Sequence, residues 1–79
     1  MESLQELTTY LVKALVREPD AVLVEPAERR GESILLITVA EGDRGAVIGR
    51  QGRTIRAIET VLDAAFDGPG RPGLDVQTG

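Results

Sequence analysis

Two glycines three residues apart, Gly49 and Gly52, stand between the apolar pair Val47-Ile48 and a run with helical periodicity. Ile55, Ile58, Val61, Leu62, Ala65 and Phe66 recur at three- and four-residue steps, as a helix with one buried face requires. Ahead of the glycines, Asp43 is placed to cap a short helix carrying Ala46, Val47 and Ile48. The stretch predicts a helix, a tight Gly-x-x-Gly turn and a second helix. No other part of the chain constrains the fold as narrowly.

The turn also has a chemical preference. Glycines let the backbone bend sharply and leave no side chain to hold a ligand at a distance. The second helix starts where the turn ends, and a helix N-terminus attracts anions through its free N–H groups and dipole. Arg44, Arg50, Arg53 and Arg56 surround it, and no acidic residue intervenes between Arg44 and Glu59. The chain as a whole carries a formal charge of −4, so these arginines form a local basic patch rather than reflect the average. Phosphate is the anion that fits.

Elsewhere the chain alternates between helical and extended patterns. Ser3-Leu4-Gln5-Glu6 has the form of a capping box, with Ser3 as N-cap and Glu6 reaching back. Leu4, Leu7, Leu11, Val12, Leu15 and Val16 then trace a helical stripe. Pro19 is expected to stop that helix at Arg17 or Glu18, with Lys13 and Arg17 complementing its C-terminal dipole. Tyr10 falls off the stripe. Ala21 to Glu25 reads as a strand, and Pro26 makes its continuation an edge or a bulge. Glu28 to Glu32 reads as a turn in which Gly31 takes positive φ, and Ser33 to Val39 returns as the second strand of a hairpin. Ile34, Leu35, Leu36, Ile37 and Val39 place apolar groups on both faces of that strand, which hints at a covered surface or a partner. After the Gly-x-x-Gly unit the helix is expected to end near Phe66 or Asp67, broken by Gly68-Pro69-Gly70. Leu74 to Thr78 forms a short third strand.

The resulting order, α-β-β-α-α-β, describes an α+β fold of three helices packed on one face of a three-stranded mixed sheet. With 79 residues there is room for one domain, spanning 1–79. Cysteine and histidine are both absent, which excludes a disulfide framework, thiolate metal sites and Ser/His or Cys/His catalysis. The carboxylates are scattered over helix faces and turns, so no enzyme and no cofactor is expected. No apolar run approaches a signal sequence or a membrane span, which makes a cytoplasmic location, away from any membrane, the expectation.

Other phosphate motifs fail at one position. Both a Walker A loop and the dinucleotide fingerprint would need a glycine where Val47 stands. Domains that stack bases on aromatic platforms are disfavoured as well, because Tyr10 and Phe66 are the only aromatic residues.

Val47-Ile48-Gly49-x-x-Gly52-x-x-Ile55 followed by an amphipathic helix resembles the signature of the KH domain, every motif position being filled. Length, element order and the Asp43-Arg44-Gly45 lead-in are similar to the bacterial single-KH family called KhpA. The resemblance implies the type II KH arrangement, with an N-terminal helix and strand ahead of the β-α-α core. It further implies a clamp on about four nucleotides of single-stranded RNA, formed by Gly49, Arg50, Gln51 and Gly52 with Arg53 and Arg44. Bases would lie in an apolar groove between the helix pair and a strand of the hairpin, with Val47 or Ile48 in its floor. For Ile48, Ile55 and Ile58 plain core packing remains the alternative. For Arg56 the alternative is a solvated helix charge paired with Glu59. By the same resemblance, an RNA chaperone or post-transcriptional regulator is implied, working as a homodimer or as a heterodimer with a larger KhpB-like partner. A module used chiefly for protein dimerisation is the competing reading.

Overall fold

A computed structural model describes residues 2–66 and 70–79 of the chain. The first helix, α1, runs Glu2–Leu15, and a 3-10 turn at Pro19–Ala21 leads into strand β1, Leu23–Arg29. Strand β2 spans Glu32–Val39, the short helix α2 Arg44–Ile48, the longer α3 Arg53–Ala65, and strand β3 Gly73–Thr78. This is the expected order and the expected α+β class.

Strand β2 is the centre of the sheet. It pairs antiparallel with β1, Val24 opposite Ile37, and parallel with β3, Ile37 opposite Val76. Alternation along β2 turns Leu35, Ile37 and Val39 toward the helices, where all are fully buried. Val24 and Val76 extend this layer on either side, and Leu4, Val12, Val47, Ile58 and Leu62 close it from above. The hairpin turns on Arg30 and Gly31, with φ of 53° and 79°, as a two-residue turn between twisted strands requires. Pro26 sits within β1 without disrupting the ladder because β1 is an edge strand.

Several boundaries differ from the sequence-based expectation. Helix α1 ends at Leu15, two or three residues early, and Arg17 lies beyond it. The cause is Asp43. Its carboxylate accepts hydrogen bonds from the backbone N–H of Arg17 at 3.2 Å and of Glu18 at 3.1 Å, drawing the chain away from the helix axis. Asp43 still precedes α2, and its carbonyl accepts from the N–H of Ala46 and Val47, but its side chain makes no cap bond. Ser3 lies inside α1 rather than before it, and its side chain is outside the described residues. Ala21 belongs to the 3-10 turn, so β1 starts later and runs longer than expected. Helix α3 ends at Ala65, close to the predicted stop, whereas Gly68 and Pro69 fall outside the described residues.

The helical stripes are buried unevenly. Thr8, polar and unremarked in the pattern, is completely buried because its hydroxyl donates to the carbonyl of Leu4 at 2.7 Å. Leu15 and Val61, expected in the core, are 41% and 42% exposed, and Ala65 is exposed too. Tyr10 stands on the solvent face of α1 at 73% exposure.

Asp43 thus joins the end of α1 to the start of α2 from a site only 4% exposed. Replacing it by alanine removes the acceptor shared by the N–H groups of Arg17 and Glu18, and loss of about 1–2 kcal/mol of folding stability is expected by urea denaturation. Asp43→Asn keeps one acceptor oxygen but sets its NH2 against the other N–H donor, so it should recover only part of that loss.

Candidate nucleic-acid interface

Helix α2 is only five residues long and is held by its neighbours, packing against α3 and β3. Val47 is its buried anchor, fully enclosed in the core. Ile48 is partly buried against the same core and keeps a face outward. Of the two residues expected in a groove floor, only Ile48 therefore presents a surface. The strand beside α2 is β3, not a strand of the hairpin.

Gly49 ends α2 at φ 76° and ψ 170°, and its N–H closes the helix on the Gly45 carbonyl at 2.8 Å. A single 3-10 turn, Arg50–Gly52, carries the chain into α3. Gln51 and Gly52 both take left-handed conformations, at φ 55° and 74°. The N–H of Gly52 donates to Gly49 at 3.1 Å and that of Arg53 to Arg50, so these donors are used within the loop. Among the described residues the N–H groups of Arg50 and Gln51, at the tip, have no backbone acceptor.

The two glycines are needed for different reasons. A Cβ on Gly49 would come within 2.7 Å of the Thr54 backbone nitrogen, closer than real atoms approach. A Cβ on Gly52 would meet only the flexible end of Arg56 at 3.3 Å, so backbone conformation is what excludes a side chain there. Gly45 has neither constraint, because its helical position leaves open space where a Cβ would go.

Electrostatically, the start of α3 is unusual. Gly52 is its N-cap, no side chain caps it, and the first turn holds no acid. Arg53 occupies the first helical position instead, a cation at the positive end of the dipole. Arg44, Arg50, Arg53 and Arg56 are all exposed. None makes an ion pair among the described residues, where the salt bridges are Arg29–Asp75 and Arg71–Asp63. Arg56 does not pair with Glu59. It folds back over the loop and donates from Nη2 to the Gln51 carbonyl at 2.8 Å. The expected residues Ile48, Gly49, Arg50, Gln51, Gly52 and Arg53 are consecutive and share one corner, with Arg44 one helical turn away at the start of α2. Sequence reasoning missed the carboxylate role of Asp43 and the inward fold of Arg56. Neither spacing belongs to a capping motif or a helical i, i+4 pair, so no local pattern signals it.

A family model described as the KH domain of KhpA/KhpB matches residues 5–71. The chain belongs to this family. It is similar to the RNA-binding protein KhpA of Chlamydia trachomatis, with 42% identity over 75% of this chain and 76% of the relative. Similarity to RNA-binding protein KhpA of Treponema pallidum is 43% over 77% and 76% of the two chains, and to that of Streptomyces coelicolor 44% over 77% of each. No solved structure gives a significant match. The KH family assignment agrees with the helix-turn-helix corner and with the mixed sheet beneath it. No helix among the described residues is long and apolar enough to cross a membrane.

Substitution of the glycines should separate backbone demands from space. Gly49→Ala is expected to unfold the corner or cost more than about 3 kcal/mol, and Gly52→Ala about 1–2 kcal/mol. Gly45→Ala should stabilise the protein by about 0.5–1 kcal/mol, since alanine is the better helix former and nothing opposes its methyl. Thermal melts of the three variants check the order.

Proposed function

We propose that this chain is a single KH module, spanning 1–79, that clamps about four nucleotides of single-stranded RNA with its Gly-x-x-Gly loop. It is a binding module and not an enzyme, in keeping with its family. What carries the reading is the start of α3: a helix N-terminus with no side-chain cap and no acid in its first turn, ringed by exposed arginines that form no ion pair among the described residues, in a chain of net negative charge. Such an arrangement repels itself until an anion arrives.

In this reading the tip N–H groups of Arg50 and Gln51 approach the phosphates, and the glycines allow close contact. Arg50 and Gln51 present their side chains to the sugar-phosphate backbone. Arg53 pairs with a phosphate across the first turn of α3, and Arg44 extends the basic track. Ile48 offers its outward face to a base. The relatives' name, RNA-binding protein KhpA, supports RNA as the nucleic acid. Acting in the bacterial cytoplasm as an RNA chaperone or post-transcriptional regulator would follow from weak, loosely specific contacts made to many transcripts.

So short a footprint gains from a second module through avidity. The partner is a second copy or a larger KH protein of the KhpB kind. One apolar groove favours the competing reading of a dimerisation module. It lies between α1 and α3, holds about 240 Å³, and is walled by Leu11, Ala14, Leu15, Ala57 and Val61. The outer face of the sheet adds half-buried Ile34 and Leu36 beside exposed Leu23. Sedimentation tests the dimerisation reading: a strict monomer at high concentration would remove its main support, whereas a dimer is compatible with both readings.

The direct test is fluorescence anisotropy with a short single-stranded RNA at two salt concentrations, comparing wild type with Arg50→Asp/Gln51→Asp. Both side chains are exposed, and aspartate tolerates the left-handed backbone at position 51, so the fold should persist. Binding that weakens with salt and is lost in the variant is expected. Equal RNA affinity in the two proteins would overturn the clamp.

A further inference from the structure

We infer that Arg56 is a positioning residue for the loop, a latch that fixes the shape of the Gly-x-x-Gly turn from the first turn of α3. The inference rests on the RNA-clamp reading for its consequence, but not for its geometry. Gln51 holds a left-handed conformation at φ 55°, which glutamine adopts uncommonly and at a cost that surrounding contacts must offset. Position 51 has no glycine to relieve this. Among the described residues, the only side-chain hydrogen bond onto residues 49–52 comes from Arg56, whose Nη2 donates to the Gln51 carbonyl at 2.8 Å. The same guanidinium lies over Gly52, where its Nη1 would be 3.3 Å from a built Cβ. One planar group therefore bonds the first left-handed residue of the turn and lies beside the second.

The position of the bond gives it leverage. The peptide plane that carries the Gln51 carbonyl also carries the N–H of Gly52, which bonds the Gly49 carbonyl at 3.1 Å. Holding that carbonyl fixes the plane, and the plane fixes the bond that closes the turn. The N–H groups of Arg50 and Gln51 at the tip are then held in place before any ligand arrives, which is what makes a clamp preorganised. Arginine suits this better than lysine, because its rigid fork keeps a fixed orientation while reaching back across a turn. Spending one donor on the loop leaves the others free, yet the residue acts through Gln51 and Gly52 and not through contact of its own with RNA.

A phosphate-binding arginine and a latch respond differently to substitution. Arg56→Lys keeps the charge, so long-range attraction is preserved while the fork is lost. In the RNA-free protein, NMR exchange of the Gly52 and Arg53 amides should speed up about tenfold in Arg56→Lys and Arg56→Met, with the thermal midpoint nearly unchanged. RNA affinity should fall roughly five- to tenfold in both, with the slope of log affinity against log salt as in wild type. Amide exchange equal to wild type in both variants would overturn the latch. So would an Arg56→Met slope shallower by about 0.7 while Arg56→Lys binds normally, because that marks a direct phosphate contact. If wild type binds no RNA at all, the clamp reading fails, and the exchange rates alone still decide the latch.

Discussion

The backbone nitrogen of Thr54 lies where a side chain on residue 49 would have to be. That close approach is the constraint on which the corner depends. It brings the end of α2 and the start of α3 together with one 3-10 turn between them. It allows Val47 and Ile58 to enter the same core from two helices. Moved apart to admit a methyl group, the helices would lose their common packing. The basic loop would then become an ordinary flexible linker. The Gly-x-x-Gly spacing is thus first a packing requirement, and its use at the surface follows from it.

A five-residue helix has little stability of its own. Here α2 is fixed at both ends by tertiary contacts. At one end Asp43 ties it to the chain leaving α1, and at the other Gly49 locks it to α3. In between, Val47 packs into the core above Leu35, Ile37 and Val39. The loop that follows therefore inherits the rigidity of the sheet, at several removes, although it stands at the surface. The clamp proposed for this loop would depend on support of this kind more than on any single strong contact.

Much of this was legible in the sequence, for identifiable reasons. The order of elements, the hairpin with positive φ at Gly31 and the helix-turn-helix corner follow from glycine placement and apolar period, both of which are local. What was not legible depends on residues far apart in the chain. Helix α1 ends early because a carboxylate 26 residues away captures the N–H of Arg17. Leu15 and Val61 fit their stripes and still face outward, because α1 and α3 leave a groove between them instead of meshing along their length. Thr8 is buried because its own helix satisfies its hydroxyl. Val47 and Ile48 look equivalent in sequence, yet the twist of one short helix encloses the first and leaves the second half open.

The charge distribution completes the physical picture. Helices ordinarily start with an acid or a hydroxyl, and α3 starts with a glycine and an arginine. Placing Arg53 against the positive end of the helix and Arg50 beside it costs stability in the free protein, while the chain elsewhere has acidic residues that could have stood there. Unfavourable charge kept together at one corner is stabilised by an anion that approaches it. The net charge of −4 meanwhile limits attraction to polyanions at large, so the arginines of this corner stand out as a local basic patch. In the clamp proposed above, a tight turn of this kind suits a flexible single strand better than a stiff duplex.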